Sequence, residues 1–163
     1  RYHVTNPLGF YTGGSYWQVP NEPTISENEA SENAAARGLF DQPPYYVVSA
    51  DPRTGRPSFQ LTTPMLWNQR EFLSSQISVS SDPDNYGHIT IRQWPTNTTT
   101  QGPKNALDRM TSAGGYQTEK LQLEGANTII YGNLLTLPIG DGGVLYVEPL
   151  YACLLYTSPS PRD

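Results

Sequence analysis

The pattern of apolar and polar positions is most distinctive between residues 129 and 150, where two apolar runs flank the short polar stretch 140–143. An Asp-Gly pair between two apolar runs is a strong hairpin signal, because both central residues of a type I′ turn need a positive φ angle. We therefore predict a hairpin over 128–151. A two-residue loop at Asp141 and Gly142 gives a register with these opposing pairs: Ile139 with Val144, Leu137 with Tyr146, Leu135 with Glu148, and Asn133 with Leu150.

The strands of this hairpin are apolar on both sides, and Glu148 is their one charged residue. Strands of that kind are usually covered on both faces, so we expect the hairpin to lie in the middle of a layered β structure. The side-chain period of a strand is two, so a shift of one residue would turn every side chain of one strand to the other face. Pro149 has no N–H to donate, so pairing should fray there.

Shorter runs of β-forming residues, separated by turn residues, recur upstream. We predict a second hairpin over 44–64, turning at 51–55, and a third over 72–95, turning at 82–87. The sequence contains no internal repeat that would indicate a solenoid or a propeller.

Helical patterns are few and short. Ala106, Leu107 and Met110 have helical spacing after Gly102-Pro103, which predicts a helix over 104–111. Asn6 before Pro7 predicts a short helix over 7–11, and 118–123 fits a helix or a strand. The predicted fold class is α+β, mainly antiparallel β, with three hairpins and one or two short helices.

The chain divides into four segments of different character. They are an aromatic segment at 1–20, an acidic segment at 21–43, a β-rich core at 44–152 and a tail at 153–163. The acidic segment has few large apolar residues and cannot bury enough surface to offset its ordering entropy, so we predict a mobile loop. Within that loop, Ser26 and Glu29 have capping-box spacing, which is compatible with a short helix over 27–37.

Composition narrows the class of protein further. The formal net charge is −5, most of it in the acidic segment, and the chain has two lysines, Lys104 and Lys120. Such a chain has no basic surface for nucleic acid, so we predict no nucleic-acid partner. No stretch approaches the roughly 20 apolar residues of a membrane-spanning helix, and no signal peptide is visible. Because the chain opens at Arg1 without a methionine, we expect a fragment of a longer protein.

Glu148 is the carboxylate with the most unusual position, since it lies in an apolar strand and faces Leu135 and Asn133 in the predicted register. A carboxylate in apolar surroundings needs a partner or has a raised pKa, and perturbed carboxylates are often functional. The simpler interpretation is that Glu148 meets an arginine, such as Arg92 or Arg70, or solvent at a strand end. We retain Glu148 and Asn133 as candidate binding residues.

Asp82 and Asp84 are the other candidate binding residues, because their spacing resembles the start of a calcium loop. An EF-hand would need a third oxygen ligand at Tyr86 and a glutamate at Gln93, and both are missing. Turn chemistry around Pro83 explains the stretch better. The single Cys153 and the two separated histidines, His3 and His88, form no metal site or catalytic triad. We predict no catalytic residue, metal or cofactor.

The aromatic residues allow two interpretations. Three tryptophans and many tyrosines beside Asn and Asp have the composition of a sugar-binding surface, but they equally suit the core of a β-rich domain. A binding surface requires at least two aromatic side chains, such as those of Trp17, Trp67 or Trp94, to be exposed side by side.

Several motifs, in one order, resemble a known family. They are YHVTNP, the PYYV run, FQLTTP, SSDPDNYGHIT, QGP before a helix, IYGNLLTLPI and LYVEPLY, and together they extend over about residues 2–151. The chain closely resembles a family of uncharacterised bacterial integral membrane proteins with several N-terminal transmembrane helices followed by a long extracytoplasmic region. The resemblance implies that this chain comes from the middle of that region. It transfers no activity, cofactor or catalytic residue.

The resemblance also implies the partners and the location of the chain. Its partners would be the remainder of its own polypeptide, including the membrane-spanning helices, together with cell-envelope components. Its location would be the extracytoplasmic side of the plasma membrane. The tail departs from the family, because CLLYTSPSPRD at 153–163 resembles translated sequencing-adapter sequence, so we expect a non-native tail.

These observations lead to one principal hypothesis and two alternatives. The principal hypothesis is a non-catalytic structural or interaction segment of an extracytoplasmic region. The first alternative is an envelope hydrolase that acts on cell-wall glycan, with Glu148 and either Asp82 or Asp84 as paired carboxylates. The carboxyl groups of such a pair lie roughly 5 to 9.5 Å apart. The second alternative is a module that binds a sugar or a peptide.

Overall fold

The computed structural model describes residues 7–12, 16–23, 41–51, 53–95, 97, 99–124, 127–140 and 142–154. The predicted helix over 27–37 lies outside these ranges, as does most of the predicted acidic loop and most of the tail. At the two ends of the acidic segment, Asn21 and Asp41 form an isolated antiparallel bridge. The helix predicted after Asn6 is present as α1 (Pro7–Thr12).

Five antiparallel strands form the larger sheet, which we call the main sheet. They are β1 (Trp17–Gln18), β2 (Tyr45–Ala50), β3 (Pro57–Trp67), β4 (Leu73–Ser80) and β5 (Ile89–Gln93). The long β3 pairs with β1 and β2 on one side and with β4 on the other, and β4 pairs with β5. This arrangement confirms the predicted α+β class with mainly antiparallel strands.

The turn between β2 and β3 follows from residue chemistry. Gly55 has a φ of +68° and donates its N–H to the Asp51 carbonyl at 2.8 Å. The Asp51 side chain accepts a hydrogen bond from the N–H of Arg53 at 2.7 Å, as aspartate commonly does in turns.

Four further strands form two hairpin-like pairs near the C-terminus. The inner pair is β7 (Leu135–Ile139) with β8 (Gly143–Val147), and the outer pair is β6 (Asn127–Tyr131) with β9 (Leu150–Leu154). Cys153 and Leu154, the first two residues after the predicted core, pair with Thr128 and Asn127.

The predicted register of the inner hairpin is wrong by one residue. Ile139 pairs with Gly143, Leu137 with Leu145, and Leu135 with Val147, so the loop contains three residues instead of two. Gly140 and Gly142 have φ angles of +50° and +101°, and glycine adopts such angles without steric cost. The extra glycine therefore allows a longer loop than a type I′ turn, and Glu148 falls outside the ladder.

The apolar character of the inner hairpin predicts a position in the middle of a layered β structure, but the hairpin does not lie in the middle of a sheet. It forms its own two-stranded sheet and packs across one face of the main sheet, which we call the inner face. Val144 and Tyr146 pack against a cluster of Leu66, Leu73 and Trp94. Ile139 and Leu145 are exposed, so the other side of the hairpin is not covered by the described residues.

Two helices follow β5. The predicted helix is present as α2 (Pro103–Ser112), with Gly102 as its N-cap and Pro103 in its first turn. The ambiguous residues 118–123 belong to α3 (Gly114–Glu124), which contacts α2 and β6. Glutamine, glutamate, lysine and leucine favour helix there. Among the described residues, no helix has the length and apolar character needed to cross a membrane.

A polar layer lies between the inner face and the inner hairpin. Its side chains are buried although they are amides and hydroxyls, and they include Gln42, Ser58, Gln60, Thr62, Gln76, Ser80 and Thr136. Four side chains on the main-sheet side donate hydrogen bonds to backbone carbonyls in or next to the inner hairpin. The bonds run from Gln42 to Leu134 at 3.1 Å, from Gln76 to Thr136 at 2.9 Å, from Arg92 to Gly140 at 3.4 Å and from Trp94 to Gly142 at 2.9 Å. Donated side-chain bonds, rather than apolar contact alone, attach the hairpin.

Candidate functional site

Glu148 and Asn133 both lie where the C-terminal strands change pairing. Three residues, 132–134, separate β6 from β7, whereas only Glu148 and Pro149 separate β8 from β9. The unequal arms make an irregularity of the kind found at β-bulges, where a side chain leaves the regular alternation. Gly132 donates its N–H to the Pro149 carbonyl at 2.8 Å and keeps the two arms together. Asn133 is exposed there, and Glu148 is half-buried.

The Glu148 side chain lines a cavity of about 190 Å³ beside α2 and α3, which we call the helix-side cleft. Its other wall residues are Pro23, Leu107, Thr111, Tyr116, Gln117, Lys120 and Tyr131. The Lys120 ammonium group lies 5.7 Å from the centre of the Tyr131 ring, within the range of a cation–π contact. The cleft therefore combines aromatic surface, an amide, a hydroxyl and both signs of charge.

Burial and a neighbouring carboxylate disturb the ionisation of Glu148. Partial removal from water raises the pKa of Glu148 above its ordinary value, and the nearby Glu22 carboxylate raises it further. Glu22 is buried and accepts a hydrogen bond from the Tyr45 hydroxyl. Burial, followed by this bond to Glu22, also raises the pKa of the Tyr45 hydroxyl. No arginine of the described residues is among the causes of the raised pKa of Glu148. Glu148 lies half-buried directly after the end of β8, which is the strand-end position of the simpler interpretation.

Asp82 and Asp84 lie elsewhere, in the short 3-10 turn (Pro83–Asn85) between β4 and β5. The Asp82 carboxylate accepts a hydrogen bond from the Phe59 N–H at 3.2 Å, so it fixes the turn against β3. Neither aspartate is in the wall of the helix-side cleft. The structure therefore does not bring Glu148 together with either of them, as a two-carboxylate glycosidase would require.

A polar cluster near that turn was not identified from the sequence. Asn85 donates to the Asp51 carboxylate at 3.4 Å and accepts from the Ser80 hydroxyl at 2.5 Å. Asp51, Asn85 and His88 line a cavity of about 10 Å³, enough for about one water molecule. The sequence predicted the two turns separately, and the pairing of β3 with β4 places both of them at one end of the main sheet. No group of three or more His, Cys, Asp or Glu side chains suited to a metal occurs among the described residues.

The three tryptophans do not form an exposed platform, which was the alternative to a role in the core. Trp17 and Trp67 are directly opposite each other on β1 and β3, but both are half-buried, and Trp94 is buried in the core. The aromatic pair that does stack openly is Tyr46 with Phe59, whose ring centres are 5.1 Å apart. Tyr46 and Phe59 are exposed aromatic residues that lie side by side, although composition alone could not identify them.

Replacing Glu148 with glutamine should stabilise the chain slightly at neutral pH and leave it unchanged at pH 4. A carboxyl whose pKa is raised on folding contributes its full stability below the unfolded value near 4.5, and that contribution is lost as the pH rises through the folded value. Glutamine imitates the protonated form, so the difference should appear as the pH rises. The gain should be small, because the side chain is half-exposed and solvent screens it.

Thermal unfolding at several pH values checks this prediction. Glu119→Gln, at an exposed position of α3, provides a matched control for the loss of one negative charge. A stabilisation by Glu148→Gln at pH 4 as large as that at pH 7, or a destabilisation at pH 7, would contradict the prediction.

Comparison with known proteins gives a consistent family result. A sequence model of an uncharacterised protein family, UPF0182, matches residues 1–117. The chain is 52% identical over 151 residues to a UPF0182 protein of Nocardia farcinica, covering 93% of this chain and 14% of that protein. It is 49% identical over 160 residues to a UPF0182 protein of Rhodococcus jostii, covering 98% of this chain and 15% of that protein.

A UPF0182 protein of Corynebacterium diphtheriae is similar at 50% identity over 152 residues, covering 93% of this chain and 15% of that protein. The chain thus spans 14 to 15% of the length of the curated relatives that it matches. No solved structure gives a significant match.

Proposed function

The chain belongs to the uncharacterised protein family UPF0182, and from that premise we propose that it is a non-catalytic structural segment of a longer membrane polypeptide. In this proposal the segment lies on the extracytoplasmic side of the plasma membrane. The membrane attachment comes from helices elsewhere in the polypeptide, as the resemblance of the ordered motifs implies.

The observation that supports the structural role is that side chains of the polar layer donate hydrogen bonds to the backbone of the inner hairpin. Gln76 donates to both the Thr62 hydroxyl at 2.6 Å and the Thr136 carbonyl at 2.9 Å, so this side chain joins the main sheet to the inner hairpin. The side chains of Gln42, Arg92 and Trp94 also donate hydrogen bonds to backbone carbonyls in or next to this hairpin. Polar groups of a catalytic or binding site point into a cleft, whereas these point into backbone carbonyls.

The location is tested by cysteine labelling of the full-length polypeptide in intact cells. Tyr86 is a suitable position, because it is exposed at the β4–β5 turn. In a cysteine-free background, Tyr86→Cys should react with a membrane-impermeant maleimide before lysis. A cytoplasmic protein with one exposed cysteine provides the control and should react only after lysis. Labelling of Tyr86→Cys only after lysis would overturn the extracytoplasmic placement.

The structural role is tested by comparing two variants of the same full-length polypeptide. Gln76→Leu should reduce the steady-state amount of the protein in cells, because it detaches the hairpin. Glu148→Gln should leave both the amount and any cellular phenotype of the gene unchanged. A loss of phenotype in Glu148→Gln at normal protein amount would indicate that Glu148 has a chemical role, and the non-catalytic proposal would fail.

A second function, binding of a small sugar or peptide group, is favoured by the helix-side cleft alone. Tyr116 and Tyr131 supply ring faces, while Gln117 and Glu148 supply hydrogen-bonding groups, a mixture suited to a hydroxyl-rich ligand. Titration of the protein with cell-wall oligosaccharides, followed by NMR, should then shift the amide signals of α3 and spare those of β5. Shifts that are absent, or spread evenly over both elements, would remove this second function.

A further inference from the structure

The side of the main sheet that faces away from the inner hairpin, its outer face, is mostly apolar, and its polar positions are Thr63, Ser75 and Gln93. Strand alternation places every second residue of each strand there. The register aligns Tyr46, Leu61, Val79 and Ile89 in one row across four strands, and Ile77 with Ile91 in the next row. Val48 lies opposite Phe59 at the β2 side of the same surface.

This surface is open to solvent. Val48 is 70% exposed and Ile91 is 54% exposed, and Tyr46, Phe59 and Ile89 are exposed as well. Tyr46 and Phe59 stack with an interplanar angle of 10°, which makes a flat aromatic patch at one end of the face. Monomeric soluble proteins rarely expose a continuous apolar surface of this extent, and such surfaces usually mark an interface.

In its central part, the polarity of the main sheet is the reverse of the usual arrangement. An antiparallel sheet with one solvated side normally turns its apolar side to the core and its polar side to water. Over 58–62 of β3 and 76–80 of β4, polar residues on the inner face alternate with apolar residues on the outer face. The alternation ends beyond these ranges, where Thr63 and Ser75 are polar residues of the outer face. The reversed alternation in the central part of the sheet indicates that the outer face is also covered in the complete protein.

We infer that the outer face is the docking surface for an apolar layer supplied by the remainder of the same polypeptide, an inference that rests on the proposed structural role. The chain spans only 14 to 15% of its curated relatives, so most of the polypeptide lies outside it. The segment 24–40 of this chain is mostly small, polar and acidic, which does not suit an apolar face.

The chemistry of the face defines what it accepts. The outer-face positions of β2, β4 and β5 carry no lysine, arginine, aspartate or glutamate. A surface without cations has no electrostatic attraction for anionic lipid headgroups, and a surface without charges offers nothing to a charged partner. Its complement is the apolar face of an amphipathic helix or of another sheet, packed about 10 Å away.

Cysteine protection in the full-length polypeptide tests whether the face is covered. In a cysteine-free background, Val48→Cys and Ile91→Cys should react with maleimide at least roughly tenfold more slowly than Tyr86→Cys, since covered sites react only after local opening. Tyr86 is the matched control, because it is 79% exposed on the turn that precedes β5. All three should react equally fast after denaturation. Equal rates in the folded protein would overturn the inference.

A photo-crosslinking amino acid introduced at position 59, in place of Phe59 of the full-length polypeptide, identifies the segment that packs on the outer face. A crosslink within one polypeptide, from Phe59 to a peptide outside this chain, supports the inference. A crosslink between two copies, an adduct with lipid, or no product at all overturns it. These results are independent of which side of the membrane Tyr86→Cys is labelled from, so a failure of the docking surface and a failure of the proposed location can be distinguished.

Discussion

Replacing Trp94 with alanine is expected to lower the free energy of unfolding by about 4 kcal/mol, the largest effect of any single substitution that we consider. Trp94 is 2% exposed and forms the apolar cluster with Leu66 and Leu73, onto which the inner hairpin packs. Its indole N–H also donates to the Gly142 carbonyl at 2.9 Å. The substitution removes both an apolar anchor and a hydrogen bond at the hairpin loop.

Equilibrium urea unfolding followed by circular dichroism measures this loss. Trp94→Phe is an intermediate comparison, since it keeps a six-membered ring but removes the five-membered ring together with its N–H, and it should cost less than Trp94→Ala. Trp67→Ala is a second comparison, because Trp67 is half-buried and should cost less than Trp94. A change of under about 1 kcal/mol for Trp94→Ala would show that the cluster does not hold the two layers together.

Replacing Gln76 with leucine is expected to cost about 2 to 3 kcal/mol, although leucine is apolar and of similar volume. Gln76 is 2% exposed and donates to the Thr62 hydroxyl and to the Thr136 carbonyl. Leucine leaves the Thr136 carbonyl buried without its donor, and the cost of a buried unpaired group exceeds the gain from added apolar surface.

The same unfolding measurement tests this prediction, with Gln93→Leu as the matched control. Gln93 is an exposed glutamine on the adjacent strand, so its substitution should change stability by no more than about 0.5 kcal/mol. Thr62→Val should be less costly in the Gln76→Leu background than in the original chain, because the bond that it removes is already lost. If Gln76→Leu were neutral or stabilising, the polar layer would not be what attaches the hairpin.

The candidate site was only partly predictable. The sequence identified Glu148 as a carboxylate in apolar surroundings, and the pKa of Glu148 is indeed raised, but by burial and by Glu22. Glu22 is 126 residues earlier in the chain, and no local pattern connects the two. The predicted contact partners of Glu148 depended on the hairpin register, so the one-residue shift at the loop removed them.

The binding interpretation of Asp82 and Asp84 was limited in the same way, because their contacts also depend on residues far away in the sequence. The Asp82 carboxylate does not cap its own turn but accepts a hydrogen bond from the Phe59 N–H, 23 residues away along the chain. The partnership of Asn85 with Asp51 joins two turns that are far apart in sequence, and only the pairing of β3 with β4 brings them to one end of the sheet.

The sequence by itself determined the elements of this protein, because turn residues and side-chain periodicity act over a few neighbouring positions. The Asp51 and Asp82 turns, the α2 helix after Gly102 and a hairpin near Asp141 were all readable from such local signals. The tertiary structure alone decided which face of each strand is buried, and over 58–62 of β3 and 76–80 of β4 it buried the polar one. Alternation shows that two faces differ in polarity, but which face is covered depends on the layers packed against the sheet. On the outer face of the main sheet, we infer that such a layer belongs to the rest of the polypeptide.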